Sequence, residues 1–558
     1  MQKNRIKTIL ASCGILCITS CGPTSIKIDE TKTILNVYSF TSGFGERWAK
    51  DLCAAYEEAV KDVSFEEGKK GVQVVCSTPQ RTDIQSTSIP TSGQDVLFLE
   101  QHDFYADVRN HYYADITDVV TEANPYDNGQ KILDKLSASQ KDAFAVDGVY
   151  YALPHYSTPF GIIYNIDLFE EKNYYFAETP SDVADLGLQG YFVSAENLAR
   201  SAGPDGVKGT SDDGLPSTYE EFFRLCDWIK FNNDYPVIFG QDAFNTYLSY
   251  AVNALAVDDA GYDEANLFVS LSGTSHSLAK LVDGKLVMDE NPTEITPENK
   301  KGKELRRNAG YYRGLSFLHT LLRSYQNQDN PGYLYKDCFS NSNFLTAQKD
   351  FVQRNDVAML FDGMWAENEA DEEAHAFNKG KSRSTRKLGW MPLPKSDSSK
   401  IGTGQTLYDI YFPMAFVNES SNDLQKKVAK DFLQFAYSDA QLVAFTKTTG
   451  ALKSVRYEIP QDVFDTLNAY GKSTASLKNQ EYHHKGTNFV YPLASHSIYR
   501  NNHAYFDIVN GGGLASLVDG VVQSFPATYL YQHKDNDTAH QTYFEGMAKY
   551  AAGQPFYR

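Results

Sequence analysis

The chain has 558 residues, 42% of them hydrophobic, and a formal charge of −19 at neutral pH. That length exceeds what one compact core holds, so two or more lobes are expected. The acidity disfavours nucleic acid or an anionic membrane surface as a partner and suits an uncharged or cationic ligand. Of 37 Tyr, 33 Phe and 4 Trp, most belong to the core, as aromatic side chains usually do. So many tyrosines leave a supply for a site that needs an apolar face and a hydroxyl together.

The N-terminus has a basic start (Lys3, Arg5, Lys7), an apolar stretch from Thr8 to Ile18, and then Ile18-Thr19-Ser20-Cys21. The apolar run is shorter than the about 20 residues that span a bilayer, so it reads as a secretory signal. Its end resembles the bacterial lipobox, in which the cysteine is acylated and becomes the first mature residue. The resemblance makes residues 1–20 a lipoprotein signal peptide and Cys21 the lipidated residue. An ordinary cleaved signal that happens to end near a cysteine is the alternative. Residues 21–32, polar and charged, then form a tether. Loss of residues 1–20, which hold three basic and no acidic side chains, takes the formal charge to −22. Beyond the leader lie Cys53, Cys76, Cys226 and Cys338, with no CxxC pair, so spacing gives no support to metal or thioredoxin-type chemistry. Cys53 falls in a predicted helix and Cys76 in the strand after it; a bridge and two free thiols are both open.

Thr33–Phe40 is an apolar strand, followed by a glycine-containing loop, Thr41–Gly45. Trp48, Leu52, Tyr56 and Val60 recur at steps of four and predict an amphipathic helix. Gly71–Cys76 and Asp95–Leu99 are buried-type strands, and the order β-α-β-loop-β predicts a parallel sheet covered by helices. In Gly148–Phe169, two apolar runs, Val149–Leu153 and Phe160–Tyr164, flank a polar segment at His155–Thr158 that Pro154 and Pro159 keep extended. This segment reads as a bridge between strands, and Asn165–Asp167 can cap a helix beginning near Leu168. Ser217-Thr-Tyr-Glu220 predicts a capping box, with Phe222, Leu225, Cys226 and Ile229 as the stripe behind it. Val357–Phe361 is an apolar strand running into Asp362-Gly-Met-Trp365. Ile401–Val417 reads as a return strand, Leu424–Ala436 as a helix, and Ser438-Asp-Ala-Gln441 as a second capping box.

These segments, in this order behind a lipobox, resemble the extracellular solute-binding proteins of bacterial ABC importers, the maltose-binding-like group. The resemblance spans roughly residues 33–460. It rests on the crossover from Pro154 to Tyr164-Asn-Ile-Asp-Leu-Phe169, the Asp95-Val-Leu-Phe98 strand, the strand followed by Gly363-Met-Trp365, and the turn Thr448–Ser454, which lacks the proline of the family's Gly-x-x-Pro. It implies an α/β, two-lobe periplasmic-binding-protein-like fold (type II) with a ligand cleft between hinged lobes. Residues 33–157 and 410–455 would form lobe 1. Residues 158–409 and 456–558 would form lobe 2, the C-terminal hundred residues as a helical completion. It further implies a monomeric receptor that takes a carbohydrate, an oligosaccharide, to the permease subunits of an importer. Ser42, Phe44, Glu100 and Gln101 after the strands of lobe 1, Ser157 and Thr158 at the first crossing, and Asn245 and Tyr247 from lobe 2 are the candidate ligand contacts, with Trp365 as the stacking floor and Tyr408 near the return.

No Gly-x-Ser-x-Gly elbow, Walker loop, His-Glu-x-x-His or Gly-x-Gly-x-x-Gly occurs, so neither catalysis nor a cofactor is required. A surface glycan hydrolase with two working carboxylates is the alternative enzyme, and acids about 5–10 Å apart across a cleft would mark it. A lipid-tethered adhesin is a third reading, marked by an exposed apolar patch. One loop, Gly203–Gly214, gathers Asp205, Asp212 and Asp213 among glycines, a set of oxygen ligands that can hold a structural Ca²⁺. A solvated turn made of turn formers is the alternative.

Overall fold

The computed structural model describes residues 27–553 apart from 101, 182–185, 271, 297–298, 300, 341–342, 379 and 492–525. Cys21 and Gln101 therefore lie outside the described residues. In chain order the elements that position the site begin with β1 (Thr33–Ser39), α1 (Arg47–Ala59), β2 (Val72–Ser77), β3 (Val96–Leu99), β4 (Leu153–Pro154), β5 (Phe160–Asn165), α2 (Ile166–Lys172), α3 (Tyr219–Phe231), β6 (Tyr235–Ile238) and α4 (Phe244–Ala260). They continue with α5 (Ala309–Arg323), α6 (Phe344–Gln353), β7 (Val357–Gly363), α7 (Ala366–Glu372), β8 (Leu388–Met391), β9 (Gln405–Tyr408), β10 (Met414–Val417) and α8 (Asp423–Ala436). After these come α9 (Asp439–Thr449), α10 (Ala469–Tyr482), β11 (Thr487–Val490), α11 (Pro526–Gln532) and α12 (Ala539–Gly553).

Two sheets organise two lobes. The first has the order β2-β1-β3-β10-β4. Its β1, β2 and β3 run parallel, as the β-α-β pattern requires, while β10 is antiparallel to both β3 and β4. Helix α1 covers it with Trp48, Leu52 and Tyr56, the stripe read from the sequence. The second sheet has the order β8-β5-β7-β6, with β5 antiparallel to both neighbours and β7 parallel to β6. Every residue of β5 and β7 is buried, which an apolar run achieves only when helices cover both faces. Helix α4 is buried along its whole length from Tyr247 to Asp259 because it is wedged between β5, α5 and α11. Helices α11 and α12 pack on α5.

Four local expectations change. The run Val149–Leu153 is not one strand: only Leu153–Pro154 joins the first sheet, and Val149–Tyr150 turns back on Ala145–Val146. Ile401–Val417 is also split. β9 pairs with β11, β10 enters the first sheet, and Asp409–Pro413 passes between the lobes. The helix after Ser217 is capped one residue later than expected: Thr218 accepts from the Glu221 amide, and the Glu221 carboxylate accepts from the Ser217 amide. Ser438 makes no capping bond, because its hydroxyl donates back to the Phe435 carbonyl of the preceding helix.

Three segments cross between the lobes and are bonded to one another. His155 N donates to Pro413 O at 2.9 Å, Ser157 N to Leu452 O at 2.9 Å, and Ile410 N to Thr158 O at 3.2 Å. Within this bundle the Lys453 ammonium nitrogen lies 2.7 Å from His155 Nδ1 and 4.5–4.6 Å from the ring centres of Phe445 and Trp48. Among the described residues no helix is long and apolar enough to cross a membrane.

Candidate functional site

The first-lobe face of the site comes from the loops after β1, β2 and β3, beyond the carboxyl ends of parallel strands, where open α/β sheets present groups to ligands. Ser42 and Phe44 follow β1, and Glu100 follows β3. The Ser42 and Tyr156 hydroxyls both donate to Glu100 Oε1, at 2.9 and 2.6 Å. Burial pushes the Glu100 carboxyl up, and these two hydrogen bonds oppose that rise. Phe44 stacks on Tyr156 with ring centres 3.9 Å apart. Arg81, in the loop after β2, sits at φ +49°, a left-handed conformation uncommon outside glycine. From there it reaches the other lobe: Nη2 donates to Glu369 Oε1 at 2.6 Å and Nε to Glu373 Oε2 at 2.9 Å.

The second-lobe face is built where β7 ends and α7 begins. Trp365 is the residue before α7, and its ring runs so close to Gly43 and Gly363 that a Cβ on either would fall 2.4 or 2.2 Å from a ring atom. Gly43 belongs to the first lobe, so the indole lies in the seam, 5% exposed. From it a belt of rings, Phe44, Trp365, Tyr411, Tyr250, Tyr247 and Phe344, runs with successive centres 5.9–6.3 Å apart. The Arg81 guanidinium, 4.9 Å from the centre of Phe344, returns the belt to the first lobe.

Next to this belt are two carboxylates that share one amide. Gln348 Nε2 donates to Asp362 Oδ2 at 2.9 Å and to Glu369 Oε2 at 2.6 Å, which leaves the buried Gln348 Oε1 without a partner. Burial pushes Asp362 up to about 7 and Glu369 up to about 8, the Asp362 charge adding to the rise at Glu369. Two acids this close compete for a proton in a medium that disfavours either charge. The ionisable groups around the belt are three acids, Glu100, Asp362 and Glu369, with Arg81 as the cation. A separate groove of about 760 Å³ opens at the rim, lined by charged residues that include Arg47, Lys50, Asp371, Glu372 and His375.

Of the residues predicted from sequence, Ser42, Phe44, Glu100, Tyr247 and Trp365 fall in this network. Ser157 and Thr158 do not. Both are wholly buried in the crossing bundle, where Thr158 N donates to Asp409 Oδ1 at 2.7 Å and Thr158 Oγ1 accepts from Tyr411 N at 3.0 Å. Asn245 accepts a hydrogen bond from Thr528 of α11 and so ties the C-terminal helix to α4. Tyr408 ends β9, half-buried, its backbone paired with Val490. Sequence reasoning missed Tyr156, Tyr411, Arg81, Gln348 and Glu369. For Tyr156 a signal existed: an extended segment alternates its side chains, so Tyr156 and Ser157 have to face opposite ways.

The Asp-rich loop does not converge on a cation. Asp205 accepts from Val207 N, Asp212 from Asp205 N and the Thr210 hydroxyl, and Asp213 from Gly209 N, so each carboxylate caps its own turn. Among the described residues, no three His, Cys, Asp or Glu side chains gather as a metal site.

Residues 62–472 match the family model described as bacterial extracellular solute-binding protein. The chain belongs to that family. Its members are described as extracellular proteins that bind solutes. Among solved structures the chain resembles the bacterial solute receptor AcbH, which has an exclusive preference for β-D-galactopyranose (13% identity, 94% of this chain and 97% of that one covered, TM-score 0.51). It also resembles a chitin oligosaccharide binding protein (15% identity, 93% and 98% covered, TM-score 0.50). At such identities the likeness is one of fold, two α/β lobes with a seam between them. No curated protein sequence matches the chain.

Proposed function

We propose that this solute-binding protein is a lipid-anchored receptor that closes its two lobes on a carbohydrate, an oligosaccharide, and delivers it to an ABC importer. The observation that carries the reading is the belt of six rings beside buried carboxylates, drawn from both lobes and the crossings. A sugar presents C–H faces to rings and hydroxyl donors to carboxylates, and the seam offers both kinds of partner. The acid-rich lining disfavours an anionic ligand. The sugar preferences of AcbH and the chitin oligosaccharide binding protein support the same class. Dividing the lobes as 33–157 with 410–455, and 158–409 with 456–558, puts each boundary in a crossing. The permease and the anchor are inferred from the family resemblance and from Ile18-Thr19-Ser20-Cys21.

A thermal-shift screen of the purified protein against a glycan panel tests the ligand. At a hundredfold excess over Kd a bound sugar stabilises by about 2.7 kcal/mol. A panel that shifts nothing, alongside a shift from amino acids or peptides, would replace the sugar by another solute. Release of reducing ends from a bound glycan would instead favour the hydrolase. Cys21→Ser should free the protein from the membrane fraction or leave it unprocessed; normal membrane retention would remove the anchor.

A further inference from the structure

Cys53 lies on the buried face of α1, 4% exposed, and Cys76 lies half-buried near the end of β2. Helix α1 packs directly on β2, Cys76 lies against the core cluster that includes Cys53, and across that contact the Cys53 thiol donates to Cys76, both cysteines being free thiols. Cys226 and Cys338 are placed differently: both are fully buried in the second lobe, and Cys338 directs its thiol at the Val237 carbonyl. We propose that Cys53 and Cys76 are a disulfide-forming pair that staples α1 to β2 once the protein is outside the cell. This proposal is independent of the identity of the ligand.

The chemistry follows from the asymmetry of the two thiols. Cys76 is the more exposed; the hydrogen bond from Cys53 lowers it, against a rise from burial, and Lys50 lowers it further, whereas Cys53 is raised by that same bond and by burial. The Cys76 thiolate is therefore the attacking group on an incoming disulfide, either a small-molecule disulfide or that of an oxidoreductase. Cys76 Sγ bonds to one sulfur of the oxidant and the other leaves as a thiolate. Cys53, having given up its proton, then attacks Cys76 Sγ and expels the second oxidant sulfur. In sum, two protein thiols become one disulfide and the oxidant disulfide is reduced to two thiols, the two protons passing to the released thiolates. The staple lies behind the loops that hold Ser42, Phe44 and Arg81, since α1 follows the first loop and β2 precedes the Arg81 loop. It fixes the first-lobe face of the seam.

The test incubates the reduced, purified protein with oxidised glutathione, quenches it with an alkylating agent after denaturation, and maps the peptides. Cys53 and Cys76 are expected as one cross-linked pair, with Cys226 and Cys338 alkylated. In Cys53→Ser a glutathione adduct should accumulate on Cys76, whereas in Cys76→Ser position 53 should stay unmodified. Oxidation should raise the melting temperature of the wild type and leave that of Cys53→Ser unchanged. Recovery of both cysteines alkylated, or of a persistent glutathione adduct on Cys76 with Cys53 free in the wild type, would overturn the pairing.

Discussion

Two buried polar clusters lie where the lobes join, and they differ in what their partners are attached to. In the crossing bundle, Lys453 and His155 come from two segments bonded to each other, and among the described residues no acid offsets the burial of Lys453. Its surroundings are His155 and the rings of Trp48, Phe98, Tyr437 and Phe445. Burial pushes both groups down, with the Lys453 charge adding to the effect at His155. In the seam, Arg81 comes from one lobe and Glu369, Glu373 and Gln348 from the other. A cluster carried by segments already tied together costs the same whether the lobes meet or part. One split between the lobes is compensated only when they meet. The first therefore acts on stability and the second on affinity.

The largest effect is expected at the hinge. Lys453→Met should stabilise the unliganded protein at neutral pH by up to several kcal/mol, the order of the desolvation penalty of one buried ion with no acid partner, and leave affinity unchanged. The sign has a pH signature. Unfolded lysine holds its proton up to about pH 10.4 and unfolded histidine up to about 6.5, while both groups are depressed in the fold. Wild-type stability thus rises with pH over those ranges, and the gain from methionine should shrink toward pH 10. Denaturant titrations at several pH values measure it; a variant less stable than wild type would mean the rings hold a charged ammonium.

At the seam, Trp365→Ala should weaken sugar binding by about 1–3 kcal/mol with little loss of unliganded stability. A loss of about 3–5 kcal/mol in folding with intact affinity would assign the ring to the second-lobe core. Arg81→Ala should weaken binding by about 2 kcal/mol, the low end for truncating a paired charge because the arginine side chain is 42% exposed. Calorimetry gives the affinity; an equal loss of unliganded stability would show that the pair is not specific to contact between the lobes.

The seam acids give a pH dependence opposite in sign to that of the hinge. Asp362 and Glu369 are raised in the fold, so the native state holds protons that unfolded carboxylates release above about pH 4. Stability falls as pH rises from there through about 7 and 8, by at most about 1.4 kcal/mol per pH unit per proton. Asp362→Asn should flatten that slope, and an unchanged profile would place the titration elsewhere. The smallest expectation is zero: calcium and a chelator should give the same melting temperature, because the three loop carboxylates already cap their own turns.

The parts of the fold legible in the sequence are those set by periodicity. The stripe of α1, the buried strands β1, β3 and β7, and the cap at Asn165 all follow from spacing and local hydrogen bonding. The run Ile401–Val417 was harder, because an apolar stretch gives no sign that Asp409–Pro413 leaves one lobe for the other. Site residues divide similarly. Ser42, Phe44 and Glu100 fall in the seam network because they follow strand ends. Arg81 could not be read from the sequence, since its role depends on a left-handed backbone in a polar loop and on acids almost three hundred positions away. Asn245 lies outside the seam network, held by Thr528 of a helix no local pattern connects to it.

The position of β10 also has a consequence for how the chain is made. It lies between β3 and β4, although it is encoded about 260 residues after β4. Until Met414–Val417 has been synthesised, a nascent chain carries β3 with an open edge and β4 with nothing to pair to. The second sheet, whose strands all lie between residues 160 and 391, can close first. The first sheet is thus the later of the two to close, although its strands begin the chain, the reverse of the usual order along a growing chain.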